Sequence, residues 1–301
     1  MTSSSRHLLC TALLFTLVFS PAGCALERGD SDFDDQLFED TFTAPDVPLT
    51  SIPLGEGPGA GTMAGTWLHI HEASTCVLGQ EQVATAYYLV DFEQDGATLR
   101  ERRRLCEIDL SPVLGMKPIV PREVLESIDF VEVDRGLIST LRPGGAYSSA
   151  TEVGLWGVRL DEPLTDALPT EPDDPKVVDA DGDGDPGVTL LMEGTDCRRY
   201  VVQRQIVRYT GRVTTPNQLD GQSVTATDTA VLGATSGLCR VSPPLEPNDS
   251  YSAFRLYRVD GAGGAFNADA DGNGEISCEE ISPFLEQAWP IREPDHGHCG
   301  R

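Results

Sequence analysis

From Gly65 onward apolar positions recur at every second residue. In "GTWLHIHEASTC" Trp67, His69 and His71 alternate with Leu68, Ile70 and Glu72, the period of a strand with two unlike faces. "VATAYYLVDFEQDGATLRERRRLCEI" reads as a hairpin with its turn at Asp95-Gly96, a register that sets Cys106 roughly opposite Thr85. "GLISTLRP", "VGLWGVRLD" and "YSAFRLYRVD" predict further strands, and Pro121 to Ile128 a short helix. "VTLLMEGTDCRRYVVQRQIVRYTGRV" runs to a turn at Leu219–Gly221 and on through "QSVTATDTAVLGATSGLC", a second hairpin closed by a cysteine. Many short strands with Gly and Asp turns predict a mainly β fold, an antiparallel β-barrel or sandwich, over residues 62–260. About 200 residues suffice for a real core.

The flanks follow different rules. After Arg6 the apolar run "LLCTALLFTLVFSPAGC" predicts an export signal over residues 1–24, too short and too abruptly ended for a membrane span. It ends on Pro21-Ala22-Gly23-Cys24, which resembles a bacterial lipoprotein box, with Pro21 where that family usually has an aliphatic residue. The resemblance implies a lipid on Cys24, and contact with a membrane through that anchor only. Residues 25–61, acidic and then rich in Pro and Gly, have no sustained period and predict a disordered tether reaching roughly 35 Å.

Charge and cysteine content narrow the class. Forty-eight acidic against 22 basic residues, a net charge of −26, argue against a nucleic-acid partner, whose phosphates need Lys and Arg. Beyond Cys10 and Cys24 stand Cys76, Cys106, Cys197, Cys239, Cys278 and Cys299, an even set that predicts three disulfides in an oxidising compartment. Among the 15 pairings six cysteines allow, the sequential one is expected: Cys76–Cys106 across the first hairpin, Cys197–Cys239 across the second, and Cys278–Cys299 as a C-terminal clip.

Two acidic loops carry the clearest chemistry. In "DADGNGEISCEE" Asp269, Asp271 and Asn273 stand first, third and fifth, and Gly274 stands sixth, where the chain must turn sharply. Glu275 would offer its carbonyl at the seventh position, Ser277 a water at the ninth, and Glu280 two oxygens at the twelfth. Alternate oxygens of this kind suit calcium, and the stretch resembles an EF-hand loop at every ligand position. The flanks depart from that family. "GAGGA" from Gly261 disfavours an incoming helix, while Ser277 and Glu280 form a capping box for an outgoing one that Pro283 should interrupt and Ser282 restart. Residues 261–301 are therefore expected to be an EF-hand-like segment that calcium staples, with a short helix and no sensor motion. Asp179, Asp181, Asp183 and Asp185 in "DADGDGDPG" resemble the calcium loops of thrombospondin type 3 repeats, with Leu190 where a closing carboxylate would stand.

Gly65-Thr66-Trp67 resembles the Gly-x-Trp signature of lipocalins, which implies a cup for a small apolar ligand. His69 with His71, and His296 with His298, offer paired imidazoles without a third ligand at useful spacing. No nucleophile elbow, His-Glu-x-x-His or P-loop is present, and "GATSG" sets Ser236 one position late for a hydrolase motif. No catalytic residue is assigned. The sequence reads as a calcium-binding exported lipoprotein of the periplasm or cell surface, structural or recognitional in role. The alternative is a lipocalin-like carrier, which a deep cavity would favour over a filled core.

Overall fold

The alternating stretches form long strands because their Val, Ile, Tyr and Thr side chains suit a pleated surface with different environments on its two faces. Strands β1 (Gly65–Val77), β2 (Gln80–Asp95) and β3 (Thr98–Leu110) make a meander, followed by β4 (Pro118–Ile119) and helix α1 (Arg122–Ser127). Four short strands come next: β5 (Asp129–Glu132), β6 (Gly136–Ile138), β7 (Ala146–Ser148) and β8 (Glu152–Trp156). Then β9 (Val188–Met192) leads to the long pair β10 (Arg198–Thr215) and β11 (Gln218–Ala234). Last come β12 (Glu246–Pro247), β13 (Ala253–Arg258) and helix α2 (Cys278–Ala288). This is a computed structural model describing residues 57–237, 239–288 and 292–299. The expected export signal, Cys24 and nearly all of the tether lie outside the described residues.

The ladder closes on itself. β1 pairs β2, β2 pairs β3, β3 pairs β6, and β6 pairs β7. β7 pairs β10, β10 pairs β11, β11 pairs β13, and β13 returns to β1, every pair antiparallel. The fold is thus mainly β and barrel-like, a ring of strands that succeed one another up and down in chain order, with β8 and β5 continuing outward from β10.

One end of the ring is packed solid. Trp67, Leu99, Leu219, Phe254 and Leu256 are fully buried there. Gly211 and Gly221 face each other across β10 and β11, and a Cβ on Gly221 would stand 2.3 Å from the Phe254 ring. Only glycine admits that ring. For the same reason Asp220-Gly221 is strand and not the expected turn. The turn falls at Pro216-Asn217, and the buried Asp220 carboxylate instead pairs with Arg255 of β13.

The C-terminal segment lies on the outer face of β1–β3. Outward-pointing Leu68, Ile70, Tyr87 and Leu89 pack against Ile276, Ile281 and Leu285. α2 runs through Pro283 without the expected break. A proline there removes one N–H from the helix, and the buried Ile281 and Leu285 on either side hold the turn against the strands.

Two expected disulfides are corrected. Cys76 bonds Cys299 and Cys106 bonds Cys278, whereas Cys197–Cys239 forms as expected. The hairpin turns at Gly96-Ala97 and carries a bulge at Tyr87/Tyr88, so Cys106 lies beside that bulge while Cys76 faces Glu81. Six residues along a strand at ~3.3 Å each separate these levels by about 20 Å, far beyond disulfide reach. Each cysteine points outward and takes its partner from the C-terminal segment lying across it.

Candidate functional site

The ring is not filled at its other end. Along β1 the inward positions run Trp67, His69, His71, then Ala73 and Thr75; along β2 they run Phe92, Val90, Tyr88, then Ala86 and Ala84. The shrinkage leaves a cavity of about 810 Å³, within the roughly 300–1,000 Å³ of small-molecule pockets. Ala84, Ala86, Leu105, Ile108 and Leu110 line one wall, with Val120, Trp156 and Val201 adding apolar surface. The facing wall, on β10 and β11, is polar: Gln203, Gln205, Thr225, Thr227 and Thr229 line it. Leu78, Leu114, Met116, Val241 and Leu245 line the mouth, and all are solvent-exposed, Leu78 by 62%.

The floor is a buried polar layer. His71, at the cavity bottom, hydrogen-bonds Ser223 Oγ through Nε2 at 2.8 Å and the Tyr209 hydroxyl through Nδ1 at 3.2 Å. Burial, reinforced by the nearby Arg103 charge, lowers His71 to about 3. Ser223 is fully buried beneath it, so the pair offers neither a basic imidazole nor an approachable hydroxyl.

Below lies Arg103, ion-paired with Glu152 at 2.5 Å and Glu101 at 3.0 Å, and donating to His69 Nδ1. Its guanidinium also faces the Tyr88 and Tyr209 rings. Burial pushes Glu101 up to about 7; Arg103 opposes this and Glu152 adds to it. His69 and His71 thus serve this layer and do not gather as metal ligands.

The EF-hand-like loop brings its expected residues together. Carboxylate oxygens of Asp269, Asp271 and Glu280 lie within 4.8 Å of one another, an all-oxygen set that could hold a hard cation. Gly274 takes φ 86°, the left-handed turn its position requires. Asp269 accepts the N–H groups of Gly272, Asn273 and Gly274. Asn273 Nδ2 donates to Asp271 at 2.9 Å, and its Oδ1 accepts the Glu275 N–H at 2.7 Å. Glu280 accepts from Ala270 N–H at 2.8 Å and Ser277 N–H at 2.9 Å, contacts that hold its carboxyl at about 2. Ser277 Oγ donates to Glu280 and accepts the Glu280 N–H, completing the capping box.

The second loop gathers three carboxylates. Asp179, Asp181 and Asp183 converge within 4.8 Å. Asp185 stands outside that set, its carboxylate hydrogen-bonded to the Tyr200 hydroxyl, and Leu190 is already in β9. Thr189, on the same strand, donates through Oγ1 to Asp183 at 2.6 Å and through its N–H to Asp181 at 2.8 Å.

The cavity wall is what sequence reading missed. Its signal was there in "TATDTA", where Thr225, Thr227 and Thr229 alternate on one strand face, and in Ala84 and Ala86, small residues at inward positions. The three disulfides fit an oxidising compartment outside the cytosol. Among the described residues no helix is long and apolar enough to cross a membrane. No family model, curated protein or solved structure matches the chain.

Proposed function

We propose that this protein is an exported, lipid-tethered binding protein that carries a small, largely apolar ligand in the open half of its ring. The cavity carries this reading: about 810 Å³ of space walled largely by aliphatic side chains. An apolar wall of that extent left open to water gives up burial within the fold, a cost with no structural return unless a ligand covers it. The up-and-down ring, and Trp67 buried at its closed end below Gly65-Thr66, support the likeness to lipocalins. Native mass spectrometry of protein released gently from its producing cells tests the reading. A noncovalent adduct should accompany wild type and be much reduced in Ala84→Trp, whose indole takes up part of the cavity. An adduct undiminished in Ala84→Trp, or apolar compounds that never bind wild type, would sink it.

Calcium belongs to the same proposal as a structural ion. The convergence of Asp269, Asp271 and Glu280 favours the 269–280 loop, with Asn273 and the Glu275 carbonyl as further ligands. An ion there would neutralise clustered carboxylates and brace the segment that covers β1–β3. At calcium concentrations tenfold above Kd it would add about 1.4 kcal/mol. Cys24 would carry the lipid that keeps the carrier at the membrane.

A further inference from the structure

Granting that the cavity is a ligand site, we infer that its ligand is an uncharged amphiphile. Its hydroxyl or carbonyl groups rest against the Gln203, Gln205, Thr225, Thr227 and Thr229 wall, and its hydrocarbon lies against the β2–β3 wall. Strand register builds the polar wall: Gln203 lies opposite Thr229 and Gln205 opposite Thr227, so all four side chains point the same way into the cavity. Thr229 and Gln203 already bond each other at 3.0 Å. The Thr225 hydroxyl, shut off from solvent, has no hydrogen-bond partner. That hydroxyl is shut off from the cavity as well, so a headgroup would meet the Gln205 amide and the Thr227 hydroxyl beside it.

Charge is excluded by what the cavity lacks. A buried carboxylate or ammonium needs a counter-charge. Arg199, the cationic side chain among the described lining residues, donates Nε to the Cys239 carbonyl at 2.9 Å and Nη2 to the Val241 carbonyl at 2.8 Å. His71 is neutral, with both ring nitrogens engaged. Asp196, the lining carboxylate, is exposed at the mouth. Arg103, Glu101 and Glu152 are committed to one another under the floor. Among the described residues of the cavity interior, below the mouth where Asp196 stands, no charged side chain is left to meet a charged headgroup, whereas Gln205 and Thr227 face a neutral one.

The test is displacement of the neutral fluorophore N-phenyl-1-naphthylamine from the purified protein at pH 8, with dodecanol, glycerol monododecanoate, dodecanoate and dodecylammonium kept below their aggregation limits. The two neutral compounds should displace the dye at concentrations at least about tenfold below the two ions. Thr227→Val and Gln205→Leu, each with its own dye affinity measured first, should raise the inhibition constants of the neutral compounds about fivefold relative to that dye affinity. Dodecanoate or dodecylammonium matching the neutral compounds, or both variants leaving dodecanol unaffected, would overturn the assignment of ligand class. Dye that fails to bind wild type, or binds Ala84→Trp equally well, would instead overturn the carrier reading beneath it.

Discussion

Leu78 and Leu114 share a backbone conformation that leucine rarely adopts, with φ 52° and 51°, and both stand exposed at the cavity mouth. Each precedes a glycine at a turn, Gly79 or Gly115. Asn or Gly would hold such a turn at lower cost, because a left-handed L-residue with a bulky side chain loses roughly 1–2 kcal/mol. Two leucines that are both strained and exposed mark a place where stability is given up for an apolar rim.

Leu78→Asn and Leu114→Asn should therefore each raise unfolding stability by about 0.5–1 kcal/mol while weakening uptake of apolar compounds. Thermal unfolding and dye binding, run side by side, measure both effects. Destabilised variants with unchanged binding would mean that the leucines are held by packing the rim itself provides.

The Arg103 cluster predicts a pH dependence of stability. Glu101 titrates near 7 when folded, above its ordinary 4.5. Glu152 is likewise raised by burial, and Tyr147 donates to Glu101 at 3.2 Å. Arg103, His69, Tyr88, Tyr209 and Glu132 complete the surrounding polar groups. A raised carboxyl contributes stability that is fully present below about 4.5 and lost as pH rises through 7. Wild type should thus lose stability from pH 5 to 8, and Glu101→Gln should flatten that slope. Denaturant titrations at intervals of half a pH unit would show it; parallel curves would assign the proton elsewhere in the cluster.

Much of this architecture was legible as alternation. The β1–β2–β3 meander and the helix at 122–127 follow from period and turn residues within short windows. Closure of the ring does not, because β13 finds β1 across almost the whole chain. The Leu219–Gly221 turn misled because Asp-Gly is a strong local signal, outweighed here by the Arg255 partner of Asp220 and the Phe254 ring over Gly221. Disulfide pairing failed for a similar reason: outward-facing Cys76 and Cys106 are matched by a segment more than 170 residues away. The convergence of Asp269, Asp271 and Glu280, and of Asp179, Asp181 and Asp183, was readable because each set lies within twelve residues, whereas the place of Asp185 outside its set was not. A cavity was not, since empty volume is a property of facing strands.

The C-terminal clip rests on a second device, the Arg292 guanidinium on Glu81 and Glu72, each at 2.8 Å. Glu81 is fully buried. Burial alone would raise it, but hydrogen bonds from Arg292, Ser74 and the Asp295 N–H hold it at about 2. A depressed carboxyl contributes stability present above 4.5 and lost as pH falls toward 2. Glu81→Gln should cost up to about 3 kcal/mol at pH 7 and nearly nothing at pH 2. Equal losses at both pH values would indicate damage to packing and not to the ion pair. Peptide mapping without reduction should recover Cys76 with Cys299.

The two acidic loops should respond unequally to loss of one carboxylate. Glu280 brings its oxygens to Asp269 and Asp271 and also caps α2, so Glu280→Gln removes a charge from the site while keeping a hydrogen-bonding side chain there. Asp181 sits in a cluster of three carboxylates among the described residues, and one of its oxygens is committed to the Thr189 N–H. Asp181→Ala should then loosen the start of β9 with or without calcium. Glu280→Gln should abolish most of the calcium-dependent protection of residues 261–299 and leave the ring folded. Calorimetric titration with calcium, together with limited proteolysis with and without chelator, separates these effects. Equal calcium losses in both variants would require a further ligand at the 179–183 loop. A wild-type protein indifferent to calcium and chelator alike would remove the ion from this reading, leaving the capping box, two disulfides and the Arg292 pair to hold the C-terminal segment.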